Sequence, residues 1–143
     1  MPIKPENRAL YPADWPTIAL EAKQRAAWAC QHQGCAAKQY DYGYWHGEPL
    51  RWVRIGGPCK TFGEARQLAA EEHWSRFGDE DGAYKILVIV LTVAHLDHDP
   101  TNCDPANLAA MCQRHHLAYD HQHHLANAQA TRRAKAGTLE LFP

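Results

Sequence analysis

The residues best suited to chemistry in this chain are cysteines and histidines that fall in short-spaced pairs. Four residues separate Cys30 from Cys35, and two separate Cys112 from His115. Two close pairs that lie far apart in a chain are the arrangement by which proteins clamp one tetrahedral structural zinc. Thiolate and imidazole ligands also suit zinc better than magnesium. The spacing therefore predicts a Cys3His zinc site that ties an early part of the chain to a late one.

Other ligand assignments stay open at the level of the sequence. The cysteines could be free thiols that pack as small apolar residues. His116 could be the fourth ligand instead of His115, because adjacent residues on a helix point about 100° apart and only one can face the ion. Cys59 or Cys103, which have no near partner along the chain, could also replace His115.

Histidines are concentrated late in the chain, where seven of the ten fall between His95 and His124. His95 follows an apolar run rich in β-branched residues and precedes a polar connection that reaches Asn107. Imidazole changes its charge near neutral pH and serves as a proton acceptor or a metal ligand. The clustering favours a chemical role for this part of the chain.

The stretch from Val93 to Asn102, followed by Asn107-Leu108 and then Cys112-x2-His115-His116, closely resembles the HNH endonuclease signature. That family commonly has a strand ending in a histidine, a loop with a later Asn-Leu pair, and a Cys-x2-Cys-His group on the next helix. The resemblance implies an α+β fold with a ββα-metal core, which is a hairpin followed by a helix and stapled by a structural zinc.

The resemblance covers residues 93 to 123 firmly and the Cys30/Cys35 pair loosely. A chain of 143 residues builds one core, so we expect a single HNH nuclease domain over 1–143. Its expected parts are an N-terminal helix and zinc knuckle over 14–35, an inserted mixed segment over 36–84, and the ββα-metal core with the C-terminal helix over 85–135.

The resemblance also implies a role for each residue of the signature. His95 would take a proton from the attacking water. Asn107 would orient His95 or brace the loop through its amide. His116 would bind a catalytic divalent ion such as Mg2+, Mn2+, Ni2+ or Zn2+.

One position departs from the family pattern, because the metal ligand that usually precedes the catalytic histidine is Ala94 here. Asp97 is the first candidate to replace that ligand and His98 the second. An alternative register makes Asp97-His98 the ligand and base pair. The His95 register is preferred because its 12-residue step to Asn107 matches family members with a short loop.

The implied function is a metal-dependent DNA endonuclease that nicks or cleaves DNA. A zinc-stabilised nucleic-acid- or protein-binding module without activity is the alternative, for which Ala94 is the main support, and a protein inhibitor or regulator on the same scaffold is a third. The formal net charge of -1 argues against binding nucleic acid by bulk electrostatics, so a targeting protein partner is expected. The candidate phosphate contacts are Arg51, Arg54, Arg114, Arg132, Arg133 and Lys135.

No membrane or secretory segment is expected. The longest apolar run, Ile86 to Ala94, is about half of the roughly 20 residues that a membrane helix needs, and the first residues lack an apolar stretch. We therefore expect a cytoplasmic protein with reduced cysteines. The resemblance implies a bacterial or phage-infected cell.

The elements that must position these residues follow from periodicity and capping signals. Helices are predicted over 16–28, over 61–77 with a capping box at Thr61-Glu64, and over 114–135 with a break at Gly137. Residues 85–94 read as one buried strand, and the aromatic and glycine-rich residues 36–60 as short strands and turns. A charged loop is predicted over 78–82.

Overall fold

A computed structural model of the chain describes residues 5–78 and 85–141, in which helices alternate with small antiparallel sheets. The helices are α1 (Trp15–Arg25), α2 (Phe62–Phe77) and α3 (Gln113–Leu141), and short 3-10 turns span Pro5–Leu10 and Pro105–Asn107. The strands are β1 (Tyr42–His46), β2 (Arg51–Gly56), β3 (Leu87–Val88), β4 (Leu91–His95) and β5 (Leu108–Cys112). The expected α+β class is confirmed; most of the predicted loop over 78–82 lies outside the described residues.

Two sheets divide the strands of the described chain. The first has the order β2-β1-β3, and the second is the antiparallel hairpin of β4 and β5. In the hairpin, Leu91 pairs with Cys112 and His95 pairs with Leu108. This register places His95 at the loop end of the hairpin, where the connection to β5 begins. It places Cys112 at the opposite end, directly before α3.

The prediction of one continuous strand over 85–94 is wrong, because the chain changes sheets at Ile89 and Val90. The amide of Ile89 donates to the carbonyl of Asp41, so this residue still follows the first sheet. The amide of Val90 instead donates to the side chain of Gln113, whose own amide donates to the carbonyl of Val88. Because a side chain satisfies the backbone at the crossing, one apolar run serves two sheets.

Helix α1 ends three residues before its predicted end. Ala27 and Trp28 adopt φ values of 53° and 58°, which a helix cannot contain, and they turn the chain back. The amide of Cys30 then donates to the carbonyl of Ala37 at 2.8 Å, and that of Cys35 to the carbonyl of His32 at 3.0 Å. The result is a small closed loop that presents both cysteines on one side.

The two later helices follow their predicted starts closely. Thr61 caps α2, and its hydroxyl accepts a hydrogen bond from the amide of Glu64 at 3.2 Å, as a capping box requires. Helix α3 begins at Gln113 and continues through Gly137 to Leu141, so the predicted break is wrong. A single glycine costs a helix only about 1 kcal/mol, which is too little to end it.

The core lies between the hairpin and the cysteine loop. Its fully buried members come from both, including Ile89, Leu91, Ala110 and Cys112, with Ala37 from the loop. A second apolar cluster joins α1 to the hairpin through Ala22, Val93 and Leu108. The hairpin therefore packs against the cysteine loop, α1 and α3.

Candidate functional site

Three cysteines and one histidine converge at the point where β5 becomes α3. Their ligand atoms all lie within 4.8 Å of one another, and the residues are Cys30, Cys35, Cys112 and His115. The Nδ1 atom of His115 is 3.2 Å from the Cys112 sulfur and 3.6 Å from the Cys30 sulfur. Tetrahedral zinc with ordinary bond lengths separates a sulfur and a nitrogen ligand by about 3.5 Å. The cluster could hold a zinc ion.

The protonation of the thiols also suits a cation. The pKa of Cys30 is lowered, first because the Cys112 thiol donates a hydrogen bond to its thiolate. The pKa of Cys112 is raised, first because its thiol keeps its proton as the donor in that hydrogen bond to Cys30. Three thiolates packed this closely repel one another, and a divalent cation between them removes that conflict. The donor set fits zinc on chemical grounds.

Two aromatic side chains pack against the His115 ring of the cluster. The ring of His32, within the cysteine loop, stacks on the ring of His115 with centroids 3.9 Å apart. The Trp45 ring of β1 meets the other side of His115 edge-on at 5.5 Å. Cys30 and Cys112 are buried, whereas Cys35 and His115 are partly exposed.

This geometry bears on the choice of the fourth ligand. His115 belongs to the cluster, whereas His116 points elsewhere, as their helical offset requires. Cys59 and Cys103 lie outside the cluster, and all five cysteines are free of disulfides. The only group of this kind among residues 5–78 and 85–141 is the predicted one.

His95 closes β4 and is nearly buried, with 8% of its surface exposed. The Trp15 ring of α1 stacks on the imidazole with centroids 4.9 Å apart, and the Tyr11 ring meets it edge-on at 5.7 Å. The Cys103 sulfur lies 3.7 Å from Nε2 of the imidazole. Burial is the main reason that the pKa of His95 is lowered, and nearby His116 lowers it further. The ring is therefore neutral at neutral pH.

His116 lies in the first turn of α3 and is tied to two elements. Its Nδ1 atom contacts the hydroxyl of Thr92 on β4. Its Nε2 atom is 3.2 Å from one carboxylate oxygen of Asp120, which lies one helical turn later. The other carboxylate oxygen of Asp120 is 3.4 Å from Nδ1 of His98. Asp120 thus bridges two of the histidines that the sequence singled out.

His98 sits in the loop with a φ of 59°. Its ring stacks on His123 at 3.9 Å and on Tyr119 at 4.8 Å. These contacts turn the His98 ring towards α3, and burial lowers its pKa.

Asp97 and Asn107 form a hydrogen-bonded brace across the loop that joins the hairpin strands. The Asn107 side chain donates to a carboxylate oxygen of Asp97 and to the carbonyl of Asn102, and accepts from the Asp97 amide. Asn102 donates to the other carboxylate oxygen of Asp97 at 2.8 Å. These bonds, with Asn102 contributing most, hold the pKa of Asp97 at about 2.

The brace determines which groups the Asp97 carboxylate contacts. Within the described chain Asp97 makes no hydrogen bond or ion pair with His116, because its carboxylate is turned into the loop. Asp120 contacts His116 instead. The amide of Asn107 bonds the loop rather than the ring of His95.

Sequence reasoning missed four residues around these histidines. Asp120 had a usable signal, since it follows His116 by four positions on one helical face. Cys103, Tyr11 and Trp15 had none, because their approach to His95 depends on how the loop and the N-terminal segment pack.

Several expected phosphate contacts have protein partners. The Arg54 guanidinium bonds the fully buried carboxylate of Asp41 at 2.9 Å. The Arg114 guanidinium lies over the Trp45 ring, 5.3 Å from its centroid. Arg132, Arg133 and Lys135 are exposed on α3. Arg51 on β2 is exposed as well, so the remaining candidates lie on β2 and on the second half of α3.

The chain matches no protein-family model, no curated protein and no solved structure. None of the helices in the described ranges combines the length and apolar character needed to cross a membrane.

Proposed function

We propose that this protein is a metal-dependent DNA endonuclease of the HNH type, which hydrolyses phosphodiester bonds by nicking or cleavage. The observation that carries the proposal is the meeting of two imidazoles, those of His98 and His116, at the carboxylate of Asp120 on α3. Trp15 stacks on His95 and also lines the cleft beside His116. Asp120 contacts His116 directly.

The Cys3His cluster is assigned a structural zinc. It joins the loop after α1 to the junction of β5 and α3, which are far apart in the sequence. Such an ion contributes directly to the free energy of folding. It also fixes the first turn of α3, and with it His116, next to the hairpin.

His95 is assigned the role of proton acceptor. The thiol of Cys103 donates to the carbonyl of Pro100, which leaves its sulfur to accept from Nε2–H of His95. That tautomer keeps Nδ1 free of a proton, so Nδ1 is the atom that accepts one from water. The neutral ring favoured by burial is the form that this role needs.

His116 and Asp120 are assigned to a second, catalytic divalent ion, with His98 as a further ligand. The Thr92 hydroxyl donates to the carbonyl of Met111, so its oxygen accepts from Nδ1–H of His116. The lone pair of Nε2 then faces the carboxylate of Asp120 across 3.2 Å. Burial lowers the pKa of His116, so a bound cation is the better way to satisfy two facing acceptors.

A divalent ion in this position would stabilise the charge that develops on the scissile phosphate and on the leaving oxygen. Imidazole and carboxylate together suit Mn2+, Ni2+ or Zn2+, and the carboxylate alone suits Mg2+. Arg132, Arg133 and Lys135 of α3 would contact DNA phosphates. With so few cations, we propose that a protein partner provides the targeting.

A catalytically inactive zinc-stabilised binding module is the second candidate. It is favoured by the low exposure of His95, whose ring is covered by Tyr11 and Trp15, and by Ala94, which cannot bind a metal. In that case the brace around Asp97 and the His116 contacts would serve only to stabilise the fold.

Plasmid cleavage separates the two candidates. Supercoiled plasmid is incubated with the zinc-loaded protein and Mg2+, Mn2+, Ni2+ or Zn2+, beside His95→Ala and His116→Ala. A nuclease converts the plasmid to nicked or linear forms, and each variant loses that activity by about 100-fold or more. The matched control is His121→Ala, an exposed histidine of the same helix. Intact plasmid in every lane would rule out the nuclease and favour the inactive binding module.

A further inference from the structure

A cleft of about 210 Å³ lies between α1 and β4, beside the imidazole of His116. Its floor is apolar and includes Ala19 and Leu91. Its polar lining comes from four side chains, namely Tyr11, Lys23, Thr92 and His116. None of them is acidic, and within the described residues the Lys23 ammonium and the Tyr11 hydroxyl are donors that make no hydrogen bond to the protein. A cleft lined in this way is complementary to an anion.

Lys23 is the feature of this cleft that the fold itself does not explain. It lies in the last turn of α1 and is partly buried. Within residues 5–78 and 85–141, its ammonium group makes no ion pair and no hydrogen bond. Burial lowers its pKa. A partly desolvated cation without a counter-ion is costly, and an anion in the cleft would offset that cost.

The size and position of the cleft narrow the choice of anion. Since a water molecule occupies about 30 Å³ in the liquid, the cleft has room for a phosphate group and a few water molecules. His116 forms one wall of the cleft and contacts Asp120 on the helix. A phosphate bound here would therefore lie next to the centre assigned above to the catalytic ion.

We propose that this cleft is a phosphate-binding subsite, in which the ammonium of Lys23 and the hydroxyl of Tyr11 bind the non-bridging oxygens of a backbone phosphate. The assignment of this phosphate to DNA rests on the proposed nuclease function. The proposal that the cleft binds a phosphate group is independent of that function. Free inorganic phosphate shares the same chemistry, so the two sources are tested separately.

The first experiment measures the affinity of the protein for DNA. Lys23→Ala is compared with Arg25→Ala, which removes the same charge from the same last turn of α1 at an exposed position outside the cleft. Duplex binding is followed by fluorescence anisotropy over a range of salt concentrations. We expect Lys23→Ala to weaken binding about tenfold and to reduce the slope of log K against log salt by about one. If the two variants bind DNA with the same affinity and the same salt dependence, the assignment of a DNA phosphate to the cleft is overturned.

The second experiment uses inorganic phosphate with the full zinc-loaded chain. We expect phosphate to shift the NMR resonances of the Ala19 and Lys23 amides and of the His116 ring, and Lys23→Gln to abolish these shifts. Lys23→Gln keeps most of the side-chain volume, so it preserves the fold if Lys23→Ala does not. Shifts that are absent from the natural chain, or that persist in Lys23→Gln, would overturn the subsite.

The two proposals fail in different ways. If phosphate binds through Lys23 but no metal supports plasmid cleavage, the nuclease function is lost and the phosphate subsite stands. If the plasmid is cleaved, but Lys23→Ala binds DNA as Arg25→Ala does and the phosphate shifts are absent or persist in Lys23→Gln, the subsite is lost and the nuclease stands.

Discussion

The Nε2 atom of His116 lies 3.2 Å from a carboxylate oxygen of Asp120, one turn later on the same helix. The other oxygen of that carboxylate reaches His98, which belongs to the loop of the hairpin. Asp120 therefore links the helix to the loop at the point where the nuclease proposal requires a second metal ion. Asp97, the ligand favoured from the sequence, is instead bonded within the loop.

Replacing Asp120 by Asn should weaken binding of the catalytic ion. The substitution preserves shape but removes the negative charge, and we expect Mn2+ or Ni2+ affinity to fall by about 10- to 100-fold. Isothermal titration of the zinc-loaded protein measures this, with Glu21→Gln, an exposed carboxylate of α1, as the matched control. An affinity equal to that of the control would remove Asp120 from the site.

Replacing Cys35 by Ser should release the structural zinc and unfold the protein. Cys35 is only partly buried, so loss of its packing is small and the effect reports the metal ligand. Cys59→Ser is the matched control, since that thiol lies outside the cluster. Zinc content by mass spectrometry and thermal melting by circular dichroism give the answer. A folded, zinc-free Cys35→Ser protein would contradict the structural role.

Cleavage should persist below the ordinary titration range of histidine. The neutral form of His95 is the proton acceptor, and burial lowers its pKa, so the active form survives as the pH falls through about 6.5. We expect the acidic limb of the kcat/KM profile to lie below that value. The lowered pKa also affects stability. Below about pH 6.5 the His95 side chain takes up a proton more readily in the unfolded chain than in the folded one, so the folded state loses stability as the pH falls through that value. An acidic limb at or above pH 6.5 would argue against His95 as the base.

Replacing Asn107 by Asp should disrupt the brace across the hairpin loop. Amide donors hold the pKa of Asp97 at about 2. The brace therefore contributes fully to the stability of the folded state above the ordinary carboxyl pKa of about 3.9, and this contribution is lost as the pH falls through about 2. Asn107→Asp removes one donor and adds a repelling carboxylate, which raises the pKa of Asp97. Carbon-13 NMR titration measures the change, and Asn107→Ala, which removes the amide without adding a charge, should raise the pKa of Asp97 less. A value still near 2 in both variants would contradict the brace.

Much of the metal cluster was predictable because its signal is local. The Cys30/Cys35 and Cys112/His115 pairs are spaced so that each can supply two ligands to one ion, and no distant contact is needed to see this. The cap of α2 at Thr61 is local in the same sense. The hairpin before α3 followed from the apolar run and the resemblance, although the transfer of that run between two sheets did not.

What the sequence determined by itself is the chemistry available, namely a zinc ligand set and histidines grouped late in the chain. Tertiary structure alone decided which carboxylate meets His116, how far Tyr11 and Trp15 cover His95, and that Arg54 is neutralised by Asp41. The physical reason is that spacing fixes which atoms can reach one another within a turn or a loop. Burial and charge pairing instead depend on segments that are distant in the chain and meet only when the core forms.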